Sequence, residues 1–302
     1  MRYAVTGAAG FIGSHLAETL TGAGHEVVGF DCFTDYYDPA LKEENARGLD
    51  VRRVDLAEDA LDFSGFDGVF HLAGQPGVRS FGDVFASYLR RNVLASQRVF
   101  EAAARDDVKV VFASSSSIYG ATERYPTPED AQPHPLSPYG VTKLSCEHLV
   151  AAYEREFGLD CVVLRYFNAF GPRQRPDMAF TRIAFALAEG TTFELHGDAS
   201  RSWTYVGDVV DGTVRAMESG TGTYNVGGEL EASMSESIEF FERISGRTLD
   251  VRRNPAGVAG DQQRTKADTT RIRTELGWAP RVALEEGIAL QWEWASARVT
   301  TR

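Results

Sequence analysis

Tyr139 and Lys143, in SPYGVTK, stand four positions apart and so share one face of a predicted helix. That pair suits general-base chemistry, because a phenol keeps its proton until about pH 10 and a neighbouring ammonium stabilises the phenolate. The spacing also allows a solvated lysine beside a tyrosine that caps the helix. Upstream, VVFASSSSIYG (residues 110–120) ends an apolar run in four consecutive serines. Ligands gather at the carboxyl ends of strands in a parallel sheet, so one hydroxyl among residues 114–117 is a candidate to hold a reacting oxygen and exchange its proton with Tyr139.

A second chemistry-bearing stretch opens the chain. In TGAAGFIGSHL (residues 6–16), Gly7, Gly10 and Gly13 surround Phe11 and Ile12. Glycines there let the chain turn tightly, approach a pyrophosphate and pack a helix against a strand, while the helix end offers N–H groups to phosphate. A simple strand-to-helix turn is the bland alternative. Asp31 follows Gly13 by 18 residues at the end of the next predicted strand, where an acid binds the adenosine ribose hydroxyls. It disfavours a 2′-phosphate, so NAD is expected over NADP. Asp55 and Leu56 close the third strand and would flank adenine, although Asp55 could equally be a strand cap.

The elements that must position these groups alternate. Residues 3–5, 26–30, 51–54, 68–72, 108–113 and 161–165 read as strands; residues 11–21, 85–104 and 138–157 carry helical periodicity. Such alternation predicts a doubly wound α/β fold, a parallel sheet of Rossmann type covered on both faces. After about Gly171 the pattern shifts to helices at 180–189, 209–219, 235–245, 269–276 and 284–297, with short strands such as 222–226 and 249–252. We expect a NAD-binding domain over residues 1–170, rejoined around 200–228, and a smaller mixed α/β substrate domain over 171–302.

Composition narrows the classes. The 302 residues carry a net charge of −12, and no stretch concentrates lysine or arginine, which argues against a nucleic-acid partner. No run approaches 18 apolar residues and the first residues enter a strand directly, so no membrane span or leader is expected and the chain is read as cytoplasmic. Three cysteines without metal spacing suit a reducing compartment; no metal site is expected.

Taken in order, GxxGxxG, HLAGQPGVR (residues 71–79), Asn92, SSSSIYG, YxxxK, RYFNAFGPRQ (residues 165–174) and the ADTTRIRTELGWAP ending resemble the extended short-chain dehydrogenase/reductases that act on nucleotide sugars. The likeness covers nearly the whole chain. It implies that Ser115, five residues before Gly120, is the catalytic hydroxyl, with Tyr139 as base and Lys143 as its partner. It implies cofactor contacts at Leu72, Ala73, Gly74 and Asn92, substrate contacts at Arg79, Ser116 and Ser117, and a hold on the nucleotide diphosphate at Asn168 and Arg201, with Arg264 a further candidate for the same task.

The resemblance also implies an opening step in which Tyr139 takes the O4 proton while NAD accepts the C4 hydride. Dehydratases of this kind place an Asp–Glu pair just after the catalytic hydroxyl, and decarboxylases place a glutamate two residues after it; here serines occupy both positions. Return of the hydride to the other face, 4-epimerisation, is the simplest remaining outcome. The segments DCFTDYYDPALKEEN and GPRQRPDM are closest to UDP-glucuronate 4-epimerases, and Arg175 could clamp a C6 carboxylate or merely pair with Asp177. Asn168 stands where those enzymes usually have threonine. A UDP-glucose or UDP-N-acetylglucosamine 4-epimerase, a decarboxylase lacking its glutamate, and a silent NAD-binding regulatory protein are the alternatives. The helices at 85–104 and 138–157 resemble those that pair in dimeric relatives, so a homodimer is expected.

Overall fold

The computed structural model describes residues 1–77, 82–256, 260 and 262–300. Seven parallel strands form the central sheet: β1 (Arg2–Thr6), β2 (Glu26–Asp31), β3 (Val51–Arg53), β4 (Gly68–His71), β5 (Val110–Ser115), β6 (Cys161–Tyr166) and, arriving last, the strand Gly222–Val226. Their spatial order is Gly222–Val226, β6, β5, β4, β1, β2, β3, so the chain winds outward from β1 in both directions. The order reverses between β1 and β4, and a cleft for ligands opens at the carboxyl ends there.

Alternation along each strand explains the two covered faces. Val5, Phe70, Val111 and Leu164 point toward the helices α1 (Phe11–Gly22) and 206–219, while Ala4, Val69, Phe112 and Val163 point to the opposite side. There they meet Val99 and Phe100 from the helix Ala95–Arg105, and Cys146 and Val150 from Pro138–Phe157. Strands apolar on both faces are what a buried parallel sheet requires.

The predicted helix at 85–104 is interrupted. Phe85–Tyr88 and Ala95–Arg105 are α-helical, and Leu89–Leu94 between them is a π-helix. Such bulges are rare and favour functional positions. The strand expected at 108–113 begins two residues later, at Val110, so Ser114 and Ser115 belong to β5 itself. A short helix, Pro39–Asn45, is new; Asp38 caps it by accepting from the Ala40 N–H at 2.9 Å, and Pro39 suits its first turn.

Beyond Tyr166 a second body forms around Phe170, Phe180, Trp203 and Phe241, with helices Ala179–Glu189, Met234–Ser245 and Leu284–Thr300 packed together. Short strands edge it: Phe193–His196 pairs with Val251–Asn254, and Ser200–Ser202 lies between Glu231–Ser233 and Arg264–Thr265. No helix among the described residues is long and apolar enough to cross a membrane.

Candidate active site

Two adjoining cavities open at the carboxyl ends of the strands, of about 230 and 540 Å³. The first is walled by Gly7, Gly10, Phe11, Ile12, Gly13, Asp31, Asp55, Leu56, Leu72, Ala73, Gly74, Tyr139 and Lys143. Gly7 has φ +72°, and a Cβ there would stand 2.9 Å from the Ala73 nitrogen; a Cβ on Gly13 would lie 2.1 Å from the Gly7 carbonyl oxygen. No side chain fits at Gly13, which is why α1 can press its amino end onto the β1 turn. Asp31 accepts the N–H groups of Ala9 (3.2 Å) and Phe33 (2.8 Å), tying the glycine turn to the end of β2. This glycine cradle beside a ribose-facing acid fits the adenosine and pyrophosphate of NAD.

Asn92 is the exception among the cofactor-binding candidates: it does not line the cavity. The π-helical turn buries it behind the wall, where its Oδ1 accepts from the Gln75 N–H (2.6 Å) and its Nδ2 donates to the Gln75 carbonyl (3.1 Å) and Thr142 hydroxyl (3.0 Å). It shapes the Gly74–Gln75 segment from the rear.

Tyr139 enters from the first turn of the helix Pro138–Phe157, whose cap, Ser137, accepts from the Gly140 N–H at 3.1 Å. A Cβ on Gly140 would sit 2.6 Å from the Ser117 carbonyl oxygen, so this glycine brings the tyrosine's turn directly against the serines. One turn on, Lys143 is buried and donates to the Ala113 carbonyl at 2.7 Å. Tyr139 borders both cavities; Lys143 faces the first and Ser115 the second.

The four serines divide by environment. Ser114 is buried and donates to Glu147 at 2.5 Å; Glu147 in turn forms an ion pair with Arg165 at 2.7 Å, both nearly buried. Arg165 also donates to the Tyr119 hydroxyl and the Glu129 carbonyl, each at 2.7 Å. Burial pushes the Tyr119 phenol up to about 12, against the pull of Arg165. Ser115 is half-buried, accepts from the Ser117 N–H at 3.2 Å and donates to the Ser117 hydroxyl at 3.1 Å. All four serines line the second cavity and Ser114 borders the first as well, but of the four Ser114 alone is committed to a buried ion-pair network.

Asn168, Arg175 and Arg201 line the second cavity as well. Asn168 adopts φ +39° and donates to the Ser202 carbonyl and the Thr265 hydroxyl. Arg175 borders both cavities and holds Asp177 through two bonds of 3.0 Å, while Tyr36 donates to the same carboxylate at 3.4 Å. Burial disfavours its charge, but Asp177 and the phenols of Tyr36 and Tyr139 outweigh this and raise its pKa. Among the carboxylates that line this cavity are Asp177, held by Arg175, and Glu194, turned to Arg252 at 3.2 Å.

Arg264 is not brought to the site. It forks onto Glu231 at 2.7 and 2.9 Å and lies over the Tyr125 ring, because its strand pairs beside Ser200–Ser202 with the side chain turned to the surface. Arg79 falls outside the described residues. Sequence reasoning missed Glu147, although it follows Lys143 by one helical turn, and Tyr166, whose hydroxyl meets Thr213 at 2.7 Å and whose ring borders both cavities. It also missed Lys42, which faces the first cavity from Pro39–Asn45; burial, partly offset by Asp31, lowers its pKa.

Comparison with known proteins places this geometry. The family model described as NAD dependent epimerase/dehydratase matches residues 3–227. A UDP-glucuronic acid 4-epimerase from Bacillus cereus, solved in complex with UDP-glucuronic acid and NAD, superposes with a TM-score of 0.95 at 37% identity over 99% of this chain and 100% of that one. A UDP-glucose 4-epimerase from Mycolicibacterium smegmatis is 36% identical over 96% of each chain. A probable UDP-glucuronate 4-epimerase from Rhizobium meliloti is 33% identical, covering 97% of this chain and 96% of the relative. With its glycine cradle, its paired tyrosine and lysine and a match of this extent, the chain belongs to the NAD dependent epimerase/dehydratase family.

Proposed function

We propose that this protein is an NAD-dependent UDP-sugar 4-epimerase that interconverts UDP-glucuronate and UDP-galacturonate. The observation that carries this reading is the meeting of the two cavities at Tyr139, with Lys143 on the cofactor side, Ser115 on the substrate side and Arg175 bordering both. When bound, NAD supplies the acceptor for the C4 hydride and returns it. Tyr139 takes the O4 proton, the Lys143 ammonium stabilises the resulting phenolate, and Ser115 hydrogen-bonds the same oxygen. Once the 4-keto sugar has turned over, Tyr139 gives the proton back to O4 on the inverted centre. Ser116 and Ser117 hold no carboxyl to drive elimination, which favours epimerisation over dehydration.

Arg175 carries the choice of a uronate. A guanidinium has five N–H donors and Asp177 engages two, so three remain for a C6 carboxylate. Held there, the carboxylate is kept out of line with the C4 carbonyl, which opposes loss of CO₂ from the β-keto acid. The second reading, a UDP-glucose 4-epimerase, draws on the same contact, because an arginine already neutralised by Asp177 does not demand an anionic sugar. Residues 1–170 with Gly222–Val226 are inferred to form the cofactor domain, and most of 171–302 the substrate domain. Phe85, Leu89 and Val141, 38%, 45% and 44% exposed on the two helices expected to pair, support a homodimer. Three free cysteines support a reducing, cytoplasmic setting.

The test is direct. Incubated separately with UDP-glucuronate, UDP-glucose and UDP-N-acetylglucosamine, the protein is expected to yield UDP-galacturonate of unchanged mass from the first, and faster than any hexose epimer. A product lighter by CO₂ makes it a decarboxylase, preference for UDP-glucose moves it to the hexose enzymes, and no turnover of any sugar leaves a silent NAD-binding protein.

A further inference from the structure

A row of polar side chains crosses the central sheet just below the serine turn. Ser114 on β5, Arg165 on β6 and Asn225 on Gly222–Val226 are register partners on three neighbouring strands, and all three are buried. The next row along pairs Ser115 with Tyr166, both of which border the cavities.

Glu147 closes the polar row from the helix Pro138–Phe157. Its Oε1 accepts from the Ser114 hydroxyl at 2.5 Å and from Arg165 Nε at 3.1 Å, and its Oε2 accepts from Arg165 Nη2 at 2.7 Å. One carboxylate thus grips two adjacent strands, with a two-bond fork onto the guanidinium. The Tyr119 hydroxyl, which accepts from Arg165, donates to Asn225 Oδ1 at 2.8 Å and ties the turn after the serines into the same row.

Tyr139, Lys143 and Glu147 follow at intervals of four and share one stripe of their helix. Successive turns of that helix are fastened to β5 and its exit: Gly140 closes on the Ser117 carbonyl, Lys143 holds the Ala113 carbonyl, and Glu147 holds Ser114. Tyr139 rides on the helix and Ser115 on the strand, so this joint sets their separation. An ion pair buried this deeply is a weak stabiliser, because two charges lose their hydration and apolar side chains of like volume often hold a fold as well or better. What a satisfied buried network supplies is one fixed geometry, and among the described residues no buried polar side-chain atom lacks a partner.

We propose that Glu147 is a positioning residue for the reaction: through Ser114 and Arg165 it holds the end of β5 against the helix, so that Ser115 and Tyr139 meet the same substrate oxygen. Glu147 itself lines neither cavity. The assignment rests on the reading of Tyr139 and Ser115 as the proton-handling pair of a UDP-sugar epimerase.

Kinetics of the NAD-loaded full chain, set beside thermal melts, test it, with kcat referred to folded protein through its bound NAD. Glu147→Gln keeps an acceptor for Ser114 but leaves the Arg165 charge without its counter-ion. Its kcat is expected to fall about tenfold to a hundredfold, the loss that follows a misplacement of about 1 Å. KM for the UDP-sugar and the affinity for NAD should stay within about threefold, because the groups that bind them are untouched. The melting temperature should fall as well, so a second variant separates the two effects. Glu147→Leu/Arg165→Met fills the same space with apolar side chains; its melting temperature should return to the wild-type value or above, while kcat remains at least about tenfold low. Recovery of kcat together with the melting temperature overturns the proposal, since the network then serves stability alone. Glu147→Gln protein with wild-type kcat, or with its loss confined to KM, also overturns it, and that variant decides alone if the double variant does not fold. A wild-type protein that epimerises no UDP-sugar overturns the underlying reading instead.

Discussion

Replacing Arg175 with alanine separates a uronate enzyme from a hexose enzyme. The side chain is 20% exposed, borders both cavities and already gives two donors to Asp177. If the remaining donors hold the C6 carboxylate, removing them forfeits about 1.5–3 kcal/mol for a charge-assisted contact. Asp177 stays behind, 41% exposed and now uncompensated, and confronts the substrate's carboxylate with a like charge. Water screens part of that repulsion, leaving a further penalty of about 1–2 kcal/mol. Together these terms lower kcat/KM for UDP-glucuronate by about two to three and a half orders of magnitude. UDP-glucose has a neutral hydroxymethyl group at C6, so its loss is limited to about 0.5–1.5 kcal/mol, or roughly twofold to tenfold. The assay is kcat/KM for both substrates, wild type against variant, with Arg175→Ala/Asp177→Ala as a third arm. Removing Asp177 as well should restore about tenfold on UDP-glucuronate by lifting the repulsion. Equal losses on the two sugars, or no recovery in the double variant, would refute the carboxylate role.

The serines offer a contrast: Ser115→Ala should cut kcat by about a hundredfold with an unchanged melting temperature, whereas Ser114→Ala should cost about 1–3 kcal/mol of stability by stripping Glu147 of a partner, with a smaller effect on rate. Both are read from paired thermal and kinetic measurements. Gly13→Ala would force a Cβ to 2.1 Å from the Gly7 carbonyl oxygen, so NAD should be lost from the protein, as an absorbance or fluorescence titration would show; retained cofactor would contradict the close-packing argument. His71 is fully buried, bonded to Thr6 at 2.7 Å and Ser96 at 2.9 Å, and burial, aided by Lys143, lowers its pKa from 6.5 to about 3. The unfolded ring therefore binds a proton that the folded ring refuses, so this contribution is complete above about pH 6.5 and declines toward pH 3 by about 1.4 kcal/mol per unit. Urea midpoints measured from pH 7 to 4.5 should fall for the wild type and fall less for His71→Asn.

Much of the fold and of the candidate site was legible in the chain itself, because local rules and periodicity carry that information. The helix at 138–157 matched its structural bounds: Ser137 caps it, Pro138 suits its first turn and Gly158 ends it in a left-handed conformation. The glycine triplet and Asp31 could be placed because a βαβ unit puts the turn and the second strand's end side by side whatever the remainder does. Tyr139 and Lys143 share a face by helical geometry alone, and Gly222–Val226 announced its return to the sheet by its strand composition.

What the tertiary structure alone decided was which of several like residues meet. Four adjacent serines are alike in sequence and all border the cavities, yet the Ser114 hydroxyl is bonded to Glu147 on a helix 33 positions away while the Ser115 hydroxyl pairs, among the described residues, only with its neighbour Ser117, a difference set by which helix packs against the strand end. Arg264 and Arg201 sit on paired strands, but one forks onto Glu231 and the other lines the cavity. Asn92 carried a motif signal but serves behind the wall, and Arg182 carried none yet faces the cavity, since a helix pattern marks the buried stripe and is silent about what lies across a cleft. Local chemistry fixes the turns and caps; long-range packing assigns the charges their partners.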